Sequence, residues 1–169
     1  FGVSRFKFYK QPDIMDCGPT CVKMIAKHHG RKVNLKKLRE ISETTRKGSS
    51  LKSIANSAEK IGFRTLGVKI NFNKLKAEAI LPCIVHWNQE HFIVVYKITQ
   101  TKVWVADPGR GLLKLSYKDF LAGWIGRDAD NNTEDGITLL LEPTPKLLHS
   151  EDDDAQSKKG FAFLYQYLF

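Results

Sequence analysis

The first third of the chain carries apolar residues at helical spacing. Between Cys17 and His29 they form one apolar side, and Gly30 follows as a stop signal. Asp16, directly before this stretch, is a residue type that often caps helix N-termini. The pattern therefore predicts a helix from Cys17 to His29 with Asp16 as its N-cap.

Two more helices are predicted before the pattern changes to that of strands. Residues 34–42 carry leucine and isoleucine at helical spacing behind Asn34, and residues 50–61 do so behind Ser50. From residue 63 onward, β-branched and aromatic residues dominate. Strands are predicted over residues 63–70, 81–87, 91–99, 102–107 and 136–141, and short helices over 74–79 and from 116 towards 124. This order indicates an α+β fold in which the N-terminal helices pack on an antiparallel sheet.

The segments 91–99 and 102–107 are separated only by Gln100 and Thr101, which predicts an antiparallel hairpin. Its register places Asp107 opposite residue 93, 94 or 95, which is two to four residues along from His91. At the rise of a strand this offset is roughly 7 to 14 Å. Only the shorter offset leaves the two side chains within reach of each other.

A cysteine at the start of a helix is a candidate nucleophile. The helix N-terminus carries partial positive charge and free N–H groups, which stabilise a thiolate at Cys17. Pro19 fits the first helical turn, where its missing N–H costs little. The position therefore favours a reactive thiol over an inert core residue.

His91 and Asp107 are candidates for a base and for the carboxylate that orients it. Taken singly, a histidine at a strand start is usually a surface or half-buried residue, and an aspartate before Pro-Gly is an ordinary turn residue. Their placement on neighbouring strands, in a chain with a cysteine at a helix start, favours a catalytic role. Asn88 is the alternative partner of the base, because some cysteine proteases use asparagine there.

The other cysteines and the histidine pair are interpreted as structural. Cys21 lies one helical turn beyond Cys17, and Cys83 lies in a buried strand, so both are predicted to pack in the core. His28 and His29 fall in the last helical turn, where imidazole suits the negative end of the helix dipole. No cysteines have Cys-x2-Cys spacing, and no metal is predicted. Three thiols and no recognisable signal peptide favour a reducing compartment.

Four sequence blocks together resemble the C39 peptidase family. They are Gln11 with five residues before Cys17, the run Asp16-Cys17-Gly18, the strand His91-Phe92-Ile-Val-Val95, and Asp107-Pro108-Gly109. The resemblance covers residues 6 to 142 and implies a papain-like cysteine protease fold. Members of this family are N-terminal peptidase domains of bacteriocin-processing ABC transporters. Pro19-Thr20 departs from the Ala-Ala that often follows the glycine in this family, although both pairs suit a first helical turn.

The resemblance implies a role for each of these residues. Cys17 would be the nucleophile, His91 the general base and later acid, and Asp107 the residue that orients the imidazole. Gln11 would donate its side-chain amide, with the Cys17 backbone N–H, to the developing oxyanion. Losing such a donor commonly costs about 3 to 4 kcal/mol of barrier.

The resemblance also implies a leader peptidase, which cuts a precursor peptide after a Gly-Gly pair before the attached transporter exports the cargo. The expected partners are the leader-containing precursor and the transmembrane and ATP-binding parts of the same transporter, at the cytoplasmic face of the cell membrane. The peptidase domain would need no cofactor, because ATP would belong to a separate nucleotide-binding domain. A narrow slot beside Cys17 would exclude any Cβ, and an apolar groove near residues 50–61 or 72–80 would take the leader as an amphipathic helix.

Two alternatives stay open at this point. One is a non-catalytic leader-docking domain of the same fold, and the other is a thiol-dependent transferase or isopeptidase with the same triad. The presence of all four candidate residues, Cys17, His91, Asp107 and Gln11, counts against a degenerate docking domain.

The end of the chain differs in character from the rest. Residues 1–142 are predicted to form one peptidase domain, and residues 143–169 a solvated linker with the acidic run 151–154. The aromatic stretch 161–169 is about half the length needed to span a bilayer. It is interpreted as the start of a membrane-proximal segment, because aromatic residues prefer membrane interfaces.

The basic excess adds little to this assignment. Lysine and arginine outnumber aspartate and glutamate by 27 to 18, which gives a net charge of +9. There is no aromatic-basic RNA motif and no long basic helix, so no nucleic-acid partner is predicted. A membrane surface or an acidic leader peptide would suit the excess equally well.

Overall fold

Polar residues at the helix starts explain where the helices begin. The computed structural model describes residues 5–42, 48–126 and 134–149. Its helices are α1 (Cys17–His28), α2 (Leu35–Ile41), α3 (Leu51–Ile61), α4 (Phe72–Glu78), α5 (Tyr117–Trp124) and α6 (Pro145–His149), and a short 3-10 helix (Ile14–Asp16) precedes α1. Side-chain oxygens of Asn34, Ser50, Asn71 and Ser116 accept N–H groups from the first turns of α2, α3, α4 and α5 at 2.8 to 3.1 Å. Within the described residues, none of the helices has the length and apolar character needed to cross a bilayer.

The described strands form one six-stranded sheet. They are β1 (Phe63–Ile70), β2 (Cys83–Trp87), β3 (His91–Ile98), β4 (Lys102–Asp107), β5 (Gly111–Ser116) and β6 (Gly136–Pro143). The order across the sheet is β1-β6-β2-β3-β4-β5, and all neighbours pair antiparallel. The predicted hairpin is therefore confirmed as β3 and β4, whose open end carries both His91 and Asp107.

The β3–β4 hairpin contains a β-bulge at Tyr96. Val95 faces Val105 on one side of the bulge and Lys97 faces Trp104 on the other, so Tyr96 has no partner opposite it. The bulge changes the register of the strand ends relative to the turn.

Both faces of the sheet are covered by helices. One core lies between the sheet and α1, α2, α3 and α6, and the second lies between the sheet and α4 and α5. The fully buried side chains on the helices include Met24, Leu38, Ile54, Leu75, Phe120 and Leu147. The predicted α+β arrangement, with the N-terminal helices on the sheet, is confirmed.

The packed unit extends beyond the predicted boundary at residue 142. Strand β6 runs to Pro143, the Thr144 N–H donates to the Gly62 carbonyl at 3.0 Å, and Leu147 of α6 is buried. Gly62 has a φ of +122°, and a Cβ there would lie 2.3 Å from the Leu147 nitrogen, so glycine is required where α6 meets the end of α3. The fold therefore continues at least to His149. The acidic run 151–154 and the aromatic stretch 161–169 lie outside the described residues.

Candidate active site

Cys17 is the first residue of α1, and only 5% of it is exposed. One turn further along, the fully buried Cys21 donates a hydrogen bond from Sγ to the Phe92 carbonyl at 3.4 Å, which ties α1 to β3 next to His91. Burial raises the pKa of the Cys21 thiol well above its ordinary value, so this group stays neutral. The prediction that Cys21 packs in the core is confirmed.

Strands β3 and β4 bring His91 and Asp107 into contact. The Nε2 atom of His91 lies 2.7 Å from Oδ1 of Asp107. Val94 faces Ala106, so the next position along β4, Asp107, lies opposite Ile93. The offset from His91 is therefore two residues, the shortest value that the hairpin allowed.

The surroundings of His91 favour its protonated form. Burial lowers the pKa of His91, but hydrogen bonds and electrostatic attraction to Asp107 and Cys17 outweigh this and raise it to about 9. Because the carboxylate of Asp107 can only accept at Nε2, Nδ1 is the nitrogen left to interact with Cys17. At neutral pH the site therefore places an imidazolium between a carboxylate and a sulfur.

Asp107 is held in its ionised form by two donors. Its Oδ1 atom accepts from His91 and also from the Gly109 N–H at 2.9 Å. Burial raises the pKa of Asp107, but the hydrogen bonds from His91 and from the Gly109 N–H outweigh this and lower it below its ordinary value. The Gly109 N–H, in the turn after β4, thus holds the carboxylate of Asp107 in place, and this carboxylate orients the imidazole of His91.

Gln11 is attached to the same turn, but its amide group is already engaged. Its backbone N–H donates to the Pro108 carbonyl at 2.8 Å. Its side-chain Nε2 donates to the carbonyls of Asp13 and Ile14 at 2.9 and 3.3 Å, and its Oε1 is buried without a partner among the described residues. Both amide hydrogens therefore brace the loop that leads into Cys17. The role of Gln11 as an oxyanion donor stays a prediction.

Asn88, the alternative partner of the base, lies in the turn between β2 and β3. Its φ is +49° and its N–H donates to the Gly123 carbonyl at 2.7 Å. The carboxylate of Asp107 occupies the position at His91 for which Asn88 was considered.

The side chain of Asp16 does not cap α1, contrary to the sequence prediction. Asp16 is fully buried, and Arg39 of α2 binds both of its oxygens, with Nε to Oδ1 at 2.8 Å and Nη2 to Oδ2 at 2.7 Å. Pro19 explains part of this, since an N-cap side chain takes the second or third helical N–H and Pro19 removes the third. Sequence reasoning missed Arg39, because its charge resembled those of the solvated lysines on the helix faces.

A cleft of ≈ 660 Å³ opens beside these residues. It is lined by Ile14, Met15, Ser49, Ser50, Leu51, His86, Gln89, Glu90, Phe92 and Ile137. Met15 lies two residues before Cys17 and Phe92 follows His91, so the cleft borders the Cys–His pair. The start of α3 contributes to it, as one of the two predicted groove regions, whereas residues 72–80 do not.

The remaining candidate ligands are used for packing. Cys83 is fully buried in β2, and burial raises its pKa to about 12. The rings of His28 and His29, at the end of α1, contact Phe6 and Phe63 with centroids 5.7 Å apart in each pair. In the parts of the chain that the structure describes, no three His, Cys, Asp or Glu side chains converge as metal ligands.

The chain matches known proteins over the same region that holds these residues. The sequence model of the Peptidase C39 family matches residues 5–127. The Lactococcin-G-processing and transport ATP-binding protein LagD of Lactococcus lactis subsp. lactis is 34% identical over 145 residues, which cover 83% of this chain. The same alignment covers 19% of LagD, so the chain spans about a fifth of that relative's length.

Solved structures share the fold. A double glycine motif protease from an AMS/PCAT transporter, in complex with the leader peptide, has a TM-score of 0.73 and 26% identity, covering 82% of this chain and 91% of that one. The peptidase domain of Streptococcus ComA, described as a bi-functional ABC transporter involved in a quorum sensing pathway, has a TM-score of 0.70 and 27% identity, covering 82% and 99%. The papain-like α+β fold is thereby confirmed, and the chain belongs to the Peptidase C39 family.

Proposed function

We propose that this domain is a cysteine endopeptidase that removes a leader peptide from a precursor peptide after a Gly-Gly pair. The observation that carries the proposal is the 2.7 Å contact between His91 and Asp107, made beside Cys17 at the start of α1. Membership of the Peptidase C39 family supports the chemistry. The leader-bound protease of similar fold supports the substrate class.

The proposed reaction has two halves. In each half, His91 transfers one proton and one bond at the substrate carbonyl carbon is replaced by another. The Cys17 thiolate attacks the carbonyl carbon of the second glycine and forms a tetrahedral intermediate. His91 gives its Nδ1 proton to the leaving amine as the C–N bond breaks, which leaves a thioester. His91 then takes a proton from water, and the resulting hydroxide attacks the thioester and expels the thiolate. The leader acid loses its proton to solvent and leaves as a carboxylate. Asp107 keeps Nε2 protonated throughout.

The oxyanion of the intermediate would be stabilised by donors at the start of α1. The Cys17 N–H is one of the helix N-terminal amides that have no intrahelical partner. For Gln11 to act as a second donor, its Nε2 must exchange a carbonyl of the 13–14 segment for the oxyanion. Catalytic hydrogen bonds often align only in the substrate complex, so this exchange would accompany substrate binding.

The cleft beside the site is the proposed place for the leader. Apolar side chains line it, among them Met15, Leu51, Phe92 and Ile137, and Ile14 is 84% exposed at its rim. An apolar groove of this kind suits the apolar side of an amphipathic helix. A leader helix docked there would deliver its C-terminal Gly-Gly pair to Cys17.

The wider assembly is proposed from the relatives. LagD is by name a processing and transport ATP-binding protein, and this chain matches only 19% of it. We therefore expect the domain to work beside transmembrane and ATP-binding parts of one transporter, at the cytoplasmic face of the membrane. The domain itself is expected to need no cofactor.

The test is mass spectrometry of a synthetic precursor incubated with the domain. The substrate has a helical leader, a Gly-Gly pair and a short cargo, and the two enzymes are the wild type and Cys17→Ala. We expect cleavage after the second glycine by the wild type only, with leader binding retained by Cys17→Ala in calorimetry. Cleavage elsewhere would refute the specificity, and cleavage by both proteins would refute Cys17 as the nucleophile.

A non-catalytic docking domain is the second candidate. Equal leader binding by both proteins, without cleavage by the wild type, would establish it. The His91–Asp107 contact argues against this outcome, since a docking surface has no use for an oriented imidazole.

A further inference from the structure

Asp16 precedes the candidate nucleophile directly, and its carboxylate is completely buried. A buried carboxylate needs a compensating charge, and Arg39 provides it with two parallel hydrogen bonds of 2.8 and 2.7 Å. Neither residue belongs to the Cys17, His91 and Asp107 group. The pair nevertheless links α2 to the residue at which α1 begins.

The first consequence of this pair is geometric. Asp16 holds the N-cap position of α1, but its side chain accepts no N–H from the helix. Because Arg39 occupies both oxygens, the carboxylate cannot turn towards the Gly18 N–H or compete for the amides of the first turn. Those amides stay available to the sulfur and to an oxyanion.

The second consequence is electrostatic. An unpaired carboxylate one residue before Cys17 would oppose a second negative charge on the sulfur. The other ionisable groups that interact here are Asp13, whose charge acts on Arg39, and His91 on β3, Asp107 on β4 and Cys21 on α1. The guanidinium of Arg39 thus offsets the charge of Asp16, and the hydrogen bond between them in turn raises the pKa of Arg39.

We propose that Arg39 is a positioning residue for the nucleophile: by pairing with Asp16 it fixes the first turn of α1 and keeps the carboxylate from suppressing the Cys17 thiolate. The proposal rests on the proposed function only where turnover is concerned. Thiol reactivity itself can be measured without any peptide substrate.

The test follows the alkylation rate of Cys17 by iodoacetamide between pH 5 and 10, with the labelled cysteine identified by mass spectrometry. Cys21 and Cys83 are fully buried, so the fast label reports Cys17. In Arg39→Gln the profile should move to higher pH by about one unit, because an unpaired carboxylate then faces the sulfur. In Asp16→Asn it should move to lower pH by about half a unit, because the cation then stays unpaired.

Two further variants separate charge from fold. The double variant Asp16→Asn with Arg39→Gln should return to within a few tenths of a pH unit of the wild type, since both charges are gone. Lys36→Gln removes an exposed charge from the same helix without touching Asp16, and its profile should be unchanged. With a peptide substrate, Arg39→Gln should lower kcat at least about tenfold with little change in KM.

The proposal is overturned if the alkylation profiles of Arg39→Gln and Asp16→Asn both coincide with that of the wild type. If Arg39→Gln lowers thermal stability but leaves the profile in place, the pair is purely structural. If Arg39→Gln does not fold, the opposite shift of Asp16→Asn and the recovery in the double variant still decide the matter. Failure of peptide cleavage alone would count against the proposed function and leave these profiles measurable.

Discussion

At the scale of single residues, one carboxylate oxygen of Asp107 links the imidazole of His91 to the turn after β4. Oδ1 of Asp107 accepts both from His91 Nε2 and from the Gly109 N–H. The backbone donor prevents the carboxylate from turning away when the imidazole changes its protonation state. The imidazole therefore keeps one orientation through both halves of the proposed reaction.

Removing this charge should change the pH dependence of activity. In Asp107→Asn the pKa of His91, which is about 9 in the native site, should fall towards 6.5, because a neutral amide no longer stabilises the imidazolium. The alkaline limb of kcat/KM should move down by one pH unit or more, and the plateau should fall at least about tenfold. A pH profile from 5 to 10 checks this. An alkaline limb that stays near 9 would mean that Asp107 does not set the charge state of His91.

Gln11→Ala tests the second oxyanion donor. If the Nε2 atom moves from the Asp13 and Ile14 carbonyls to the oxyanion, kcat should fall about a hundredfold while KM changes little. Thermal stability must be measured in parallel, because the same substitution removes the brace of the loop before Cys17. A loss of stability with unchanged kcat would limit Gln11 to a structural role.

The proximity of Cys17, His91 and Asp107 could be predicted because each residue lies at the end of an element with a strong local pattern. Arg39 could not, since its partner Asp16 lies 23 positions away and nothing local links them. The amide contacts of Gln11 could not be predicted either, because they go to backbone carbonyls of the segment before α1, which any residue type can supply.

At the scale of elements, local signals predicted every α-helix that has a side-chain cap in the described parts of the chain, but not the 3-10 helix that Asp13 caps. They missed β5, whose Gly-Leu-Leu-Lys-Leu-Ser sequence lacks β-branched residues, and α6, which has five residues and begins with Pro145. Strand β5 forms a hairpin with the neighbouring β4, whereas α6 packs against the end of α3, which is distant in sequence. The bulge at Tyr96 was also missed, because no residue type indicates it.

The contact between α1 and α3 is sensitive to a single methyl group. A Cβ at Gly18 would lie 2.7 Å from two side-chain carbons of the fully buried Ile54. Gly18→Ala should therefore destabilise the fold by about 1 to 3 kcal/mol and, next to Cys17, lower kcat. Chemical denaturation and peptide turnover measure both effects.

Gly67→Ala is the matched control for this substitution. There the new Cβ would meet Leu51 at 3.6 Å, an ordinary contact, so the free energy of unfolding should change by less than about 1 kcal/mol. Equal effects at Gly18 and Gly67 would show that the α1–α3 contact can relax.

At the scale of the whole molecule, the sheet order could not be predicted from sequence. β6 lies between β1 and β2, and its paired residues are 53 to 80 positions away in the chain. Local patterns specify which face of a strand is apolar but not which distant strand it joins. The resemblance to the C39 family implied the fold as a whole, which the individual patterns did not.

The His91–Asp107 pair also makes the stability of the whole fold depend on pH. His91 has its pKa raised from 6.5 to about 9, so its contribution is complete below pH 6.5 and is lost as pH rises through 9. Asp107 has its pKa lowered from 3.8, so its contribution is present above that value and is lost in more acidic solution. The pair therefore stabilises the fold from mildly acidic pH to about pH 9.

Denaturation of the wild type and of His91→Gln at pH 7 and pH 10 measures this contribution. The wild type should lose more stability over that interval than the variant, by about 2 kcal/mol. Parallel losses in the two proteins would assign the alkaline destabilisation to other groups.

The bulge at Tyr96 separates the hairpin into two segments of opposite parity. Near the turn, paired residue numbers such as 98 and 103 sum to an odd number, whereas near the site 94 and 106 sum to an even one. Only the even register puts Asp107 across from residue 93, on the face that His91 shares. A hairpin that kept the odd register of the turn along its whole length would instead place Asp107 opposite Val94, on the face away from His91. The position of Asp107 relative to His91 is therefore set by the bulge and not by the turn.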